Sequence, residues 1–173
     1  TAQFAAFTTD QINAFNTSKF SGVSRGQLQA IAAADFNNIQ TDKINVLSAA
    51  QVGGLTTAQI NSLSGANFAA LSAAGVVGLT TTLMNAMTTA ETSTLTSVQL
   101  KNLTATQLSA LNTKSLNGLT TTLINTLAAT QISGLTTFQV NKLTTANVAA
   151  ISGAAVTGLK TNQIAALTTA QLQ

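Results

Sequence analysis

The sequence predicts an all-α solenoid built from very short helices. Three observations predict this fold: an eight-residue unit repeats without interruption, each unit carries helix-capping residues, and its apolar positions are fixed. The unit is clearest as LTTAQINS, from Leu55 to Ser62. Helices this short are not stable alone, because nucleation costs more than a few hydrogen bonds return. Each unit must therefore bury its apolar face against other units, as in a solenoid.

Two positions of the octad are apolar along the chain, when Leu55 is taken as a first position. The first position is large and apolar in all 21 octads that start at Phe7, and the sixth is apolar in 21 of 22 cases. The register has no insertion or deletion, so we expect one continuous solenoid over residues 1–173, with a partial repeat at 1–6. The predicted structural core includes Leu55, Ile60, Leu63, Leu95, Leu103 and Leu135.

The polar positions predict where each helix begins. Thr or Ser at the second position acts as the N-cap, and Gln at the fifth reaches back to the cap, which is a capping box. The predicted caps are Thr56 with Gln59 and Thr136 with Gln139. A strand is the alternative, since Thr, Val and Ile favour strands. However, positions one and six would then lie on opposite faces of a continuous strand.

One octad departs from this pattern. Glu91 and Thr92 stand where Gln and an apolar residue are expected. We expect a weak region here, with the buried Thr92 hydroxyl bonded to a carbonyl of the preceding turn.

The eighth position is usually Ala, Gly, Ser or Thr, which suits either a sharp turn at the helix end or a crowded contact. A longer period of 40 residues is also present: the eighth position is Gly at 78, 118 and 158, and the fifth position is never Gln at 35, 75, 115 and 155. We interpret this period as five octads per superhelical turn. The alternative is a duplicated 40-residue unit with no geometric meaning.

Composition excludes several classes of function. Charged residues make up 6% of the chain and apolar residues 45%, which is unlike a disordered protein. The net charge of +3 comes from scattered basic residues, and Trp and Tyr are absent, so we expect no nucleic-acid partner. No apolar run approaches the ~18 residues of a membrane span. With no Cys and no His, we expect no metal, no cofactor, no catalytic residue and no enzymatic activity.

The phrases LTTAQINSL, LTATQLSAL and KTNQIAALTTAQL resemble the TTAQI-AALT repeats of very long bacterial secreted and cell-surface proteins, which are commonly labelled adhesin-like or haem-utilisation-like. The resemblance covers the whole chain. It implies a bacterial protein that is extracellular or at the cell surface, with a structural or adhesive role. The absence of His argues against binding haem.

These observations lead to two hypotheses about function. The first is a structural repeat protein that forms a stiff rod, or a filament through end-to-end stacking, with its partners being further copies or neighbouring repeats of the same polypeptide. The second is a surface-binding module, in which rows of Thr bind ice, a polysaccharide or another surface as an adhesin does. A pore is less favoured, because apolar side chains should fill the tube.

Overall fold

The computed structural model describes Phe4 and residues 6–173, and this part of the chain is all-α. It contains 20 α-helices of four to six residues and no strand, which confirms the predicted fold class. A 3-10 turn, Thr169–Gln171, follows the last helix. The helices are α1 Thr9–Asn13, α2 Thr17–Ser21, α3 Arg25–Gln29, α4 Ala33–Phe36, α5 Thr41–Asn45, α6 Ala49–Val52, α7 Thr57–Ser62, α8 Gly65–Ala70, α9 Ala73–Val76, α10 Thr81–Ala86, α11 Thr89–Thr94, α12 Ser97–Asn102, α13 Ala105–Ala110, α14 Thr113–Asn117, α15 Thr121–Asn125, α16 Ala129–Gly134, α17 Thr137–Lys142, α18 Thr145–Ala149, α19 Gly153–Val156 and α20 Thr161–Ala165.

Helix α7 shows how one octad fixes both ends of its helix. Thr56 is extended, with φ −81° and ψ 158°, and its hydroxyl accepts a hydrogen bond from the Gln59 amide. At the other end, Leu63 returns to extended backbone, with φ −62° and ψ 132°, while its N–H donates to the Ile60 carbonyl. The helix therefore makes about one and a half turns before the chain bends into the next octad.

The apolar positions form one core that runs through the array. The six core residues named from the sequence all lie in it. Ile60 is fully buried, and the five leucines Leu55, Leu63, Leu95, Leu103 and Leu135 are at most 5% exposed.

Successive coils of the solenoid are three to four octads apart. Each helix packs mainly against the third helix further along the chain, and hydrogen bonds between coils join residues 25 to 31 positions apart. The predicted five octads per turn is therefore wrong. A five-sided tube would enclose more space than Leu, Ile and Val side chains fill at normal packing density, so fewer helices close around the core. The 40-residue period of the sequence does not correspond to a turn.

The glycines at the eighth position allow close approach of the coils. A Cβ at Gly78 would overlap the Ala49 carbonyl oxygen, and one at Gly158 would overlap that of Ala129. All 11 glycines belong to the described residues, and none has a positive φ. These close approaches support the crowded contact predicted for this position, and the glycines do not adopt a left-handed conformation.

Candidate functional site

The glutamine at the fifth position bonds in two directions. The Gln59 Oε1 accepts from the Thr56 N–H at 3.0 Å, as the capping box requires. Its Nε2 donates to the carbonyls of Leu28 and Ile31, at 2.7 and 2.8 Å, on the preceding coil. The side chain is 1% exposed. One buried amide therefore begins a helix and also joins two coils.

This arrangement recurs along the array. In every case, Nε2 donates to the carbonyl 28 residues earlier, which belongs to a first-position residue. We call the set the glutamine ladder; it consists of Gln51, Gln59, Gln99, Gln107, Gln131, Gln139, Gln163 and Gln171.

The ladder determines the register between coils. Apolar contacts are not directional, so by themselves they tolerate sliding of one coil over the next. A buried amide that loses its partners is penalised by its desolvation, of about 1–3 kcal/mol. In the described residues, no buried side-chain nitrogen or oxygen lacks a hydrogen-bond partner. If one coil slid over the next by one residue, the buried amide at every ladder position would lose its hydrogen bonds to the preceding coil.

The caps named from the sequence lie where the capping box places them. Thr136 Oγ1 accepts from the Gln139 N–H at 3.0 Å, and Gln139 Oε1 accepts from the Thr136 N–H at 2.8 Å. Sequence reasoning missed the second half of the bonding, in which Gln139 Nε2 donates to the Leu111 carbonyl at 2.8 Å. The sequence contains one indication of these additional bonds. A capping box accepts Glu as readily as Gln, yet Gln is the commonest residue at the fifth position. The preference for Gln indicates that the amide hydrogens are needed.

Asparagine at the seventh position provides a second set of bonds between coils, which sequence reasoning also missed. Asn45 Nδ2 donates to the Ala70 carbonyl at 3.0 Å, and Asn117 Nδ2 donates to that of Lys142 at 2.7 Å. These bonds reach forward by 25 residues, whereas the ladder reaches back. The coils are therefore joined on two sides. The same forward bond is made by Asn13, Asn125 and Asn141.

The octad that contains Glu91 lacks a ladder bond. Glu91 is 2% exposed, and its Oε2 accepts from Thr88 N at 2.8 Å and from Thr88 Oγ1. A carboxyl group has no amide hydrogens, and no bond from Glu91 reaches the preceding coil. Thr92 is fully buried, and its hydroxyl donates to the Thr88 carbonyl at 3.1 Å, as predicted.

Charged groups take little part in this architecture. Lys43, at a fifth position, is 3% exposed, and its Nζ donates to Gln40 Oε1 at 2.7 Å. Asp42 lies 3.4 Å from the same Nζ, the single ion pair among the described residues. That part of the chain also has no group of three potential metal ligands, and none of its helices is long and apolar enough to cross a bilayer. The chemistry of the arrangement is hydrogen bonding and apolar packing.

Together, the short helices, the continuous core and the ladder define the class of protein: a repeat protein with an all-helical solenoid. A family model described as the ALTTAQ repeat matches residues 28–65. No curated protein and no solved structure matches the chain.

Proposed function

We propose that this chain is a structural repeat protein, a stiff rod of the bacterial cell surface or extracellular matrix. The observation that carries the proposal is the glutamine ladder, which joins each coil to the next with buried, directional bonds. An array held in this way resists both bending and sliding, since either motion separates buried donors from their acceptors. The setting and the bacterial source rest on the resemblance to surface repeat proteins.

The nature of the surface supports a scaffold role. Few charges are available to attract nucleic acid or a charged ligand. Many hydroxyls are already used inside the repeat: Thr56, Thr104 and Thr136 each cap a helix through Oγ1. This use leaves fewer Thr side chains for a regular binding lattice, so we favour the rod over the ice-binding or polysaccharide-binding alternative.

Electron microscopy of the native material tests the proposal. We expect rods or fibres whose axial repeat equals the spacing of packed helices, about 8–10 Å. Compact particles without such an axis would overturn the structural role. A direct assay of ice growth and of polysaccharide binding by the purified chain separates the alternative, because a rod without a binding face leaves both unchanged.

A further inference from the structure

Glu91 places a titratable carboxyl group inside the array. Its side chain is 2% exposed, and it is the single Glu of the sequence. One carboxyl oxygen, Oε2, accepts from Thr88 N at 2.8 Å, just as the amide oxygen of Gln99 accepts from Thr96 N at 2.8 Å. The capping half of the ladder bonding is therefore intact in this octad.

The other carboxyl oxygen, Oε1, takes the place of Nε2 in a ladder glutamine, because carboxyl and carboxamide groups are both planar and Oε2 is fixed in the cap. At that place, Gln99 Nε2 lies 2.7 Å from the Leu71 carbonyl, 28 residues earlier. The equivalent carbonyl for Glu91 is that of Leu63, which receives no hydrogen bond from a described residue. An ionised carboxylate only accepts hydrogen bonds, so an acceptor then faces an acceptor.

First-position carbonyls accept from more than one kind of fifth-position donor. Asn67 Nδ2 donates to the Ile39 carbonyl at 3.1 Å, and Ser115 Oγ donates to the Met87 carbonyl. Both carbonyls lie 28 residues earlier, as in the ladder. The bond from Ser115 shows that an O–H group makes this contact, and a protonated carboxyl group carries an O–H donor as well.

No basic side chain pairs with Glu91 among the described residues. Helices α7 and α8 of the preceding coil, and the adjoining α10, contain no charged residue. The adjoining α12 and the packed α14 carry Lys101 and Lys114, and both lysines are exposed. The single ion pair of the described part of the chain joins Lys43 to Asp42. Burial of an unpaired carboxylate is unfavourable, whereas a protonated carboxyl group with a hydrogen-bond partner avoids that penalty.

We propose that Glu91 is a pH-sensitive member of the glutamine ladder. When its carboxyl group takes up a proton from solvent, the new O–H donates to the Leu63 carbonyl and joins α11 to the preceding coil. When the proton returns to solvent, that bond is lost, and the octad keeps only its cap and its packing. The proposal concerns the solenoid itself and does not depend on the role as a rod.

The direction of the pH effect follows from the number of bonds. The protonated carboxyl group makes one more hydrogen bond in the folded array than the ionised form, whereas both forms bond to water in the unfolded chain. Folding of this octad therefore favours proton uptake, so acid strengthens it and a rise in pH weakens it. The other acidic residues, Asp10, Asp35 and Asp42, all belong to the first five octads.

Amide hydrogen exchange at residues 87–95, compared between the unmodified chain and Glu91→Gln, tests this proposal. The variant has an amide donor at every pH, so it represents the bonded state. All other acidic groups are the same in both chains, and their contributions cancel in the ratio of protection. We expect the variant to be protected roughly 5- to 30-fold more strongly at about pH 8. This ratio should fall to within about 2-fold at about pH 4, near the ordinary titration range of Glu.

Asp35→Asn is the matched control. It makes the same change from acid to amide at a fifth position, but the Asp35 side chain is exposed. We expect it to leave the protection of residues 87–95 equal to that of the unmodified chain at every pH.

Carbon-13 NMR separates the proposed bond from a simple loss of charge. Because Glu91 is the single Glu, labelling of Glu gives one carboxyl resonance, whose shift reports protonation. The Leu63 carbonyl resonance should move with the same midpoint, since this carbonyl gains a donor. The Leu71 carbonyl, which accepts from Gln99 at every pH, should not follow that midpoint.

Four results would overturn the proposal: a protection ratio that does not change with pH, an equal effect of Asp35→Asn, a Glu91 carboxyl resonance that does not titrate in the folded chain, or a titration that leaves the Leu63 carbonyl resonance unmoved. None of them bears on the rod, which electron microscopy tests separately.

Discussion

Two neighbouring octads of this chain differ in the bonds that they make to the preceding coil. In residues 95–102, the Gln99 Nε2 donates to the carbonyls of Phe68, Ala69 and Leu71 on the preceding coil. In residues 87–94, Glu91 occupies the same position and donates to none. Both side chains are 2% exposed, so burial does not distinguish them.

The weaker octad also shows changes in its backbone. The Leu103 N–H that follows residues 95–102 donates to the Leu100 carbonyl at 3.1 Å. The corresponding bond from Leu95 to Thr92 is absent. The Thr88 hydroxyl accepts a hydrogen bond from the Ala90 N–H, the second residue of the helix, at 3.2 Å. This comparison shows that an octad can be buried in the array without a ladder bond and with a polar residue at its sixth position.

The largest expected effect comes from placing a charge at one of the buried apolar positions of the octad. Leu103→Asp places an unpaired charge where the side chain is 2% exposed, which should cost roughly 4 kcal/mol or more of unfolding free energy. Lys101→Ala, on the exposed side of the neighbouring helix, should change it by less than about 0.5 kcal/mol. Thermal melting followed by circular dichroism measures both, and equal melting temperatures would contradict the assignment of inside and outside.

The next largest effect comes from giving residues 95–102 the fifth-position Glu that residues 87–94 carry. Gln99→Glu keeps an oxygen for the cap but removes the amide hydrogens that reach three carbonyls. We expect a loss of about 2–3 kcal/mol. Gln27→Glu is the matched control, because Gln27 has the same capping box and no donor contact to a described residue. Urea unfolding of dilute, monomeric samples should show a much smaller loss for the control, and similar losses would contradict the role of the ladder.

The reverse change should strengthen the weak octad. Glu91→Gln supplies an Nε2 group at the spacing that reaches the carbonyls of Ile60 and Leu63. We expect a gain of about 1–2 kcal/mol, with slower amide hydrogen exchange across residues 87–95. A variant that is less stable than the unmodified chain would show that the Glu91 carboxyl group has its own stabilising role.

The smallest expected effect comes from replacing Thr92, the one polar residue at a sixth position. Thr92→Val replaces a hydroxyl with a methyl group of similar size, and the Thr88 carbonyl keeps its bond from the Thr92 N–H at 3.2 Å. We expect a gain of about 0.5–1 kcal/mol from the added apolar burial, measured by the shift of the urea midpoint. A decrease would mean that the bond from the Thr92 hydroxyl outweighs the methyl group.

The difference between what could and could not be predicted is clear in Gln59. Its capping bond joins residues three positions apart, so spacing alone predicted it. Its bonds to Leu28 and Ile31 cross to another coil, and the sequence does not state which coil lies there. The seventh-position Asn45 was missed for the same reason, since its partner Ala70 is 25 residues away.

The sequence by itself determined the octad, the helix boundaries and the buried positions, because capping and apolar periodicity depend on residues within one or two turns. The tertiary structure decided how many octads complete a coil, and it showed the 40-residue interpretation to be wrong. Closure of a coil depends on the sum of several corner angles and on the volume that the core side chains fill. Neither quantity is encoded in one octad, so the partners of the glutamine ladder emerge only when successive coils pack together.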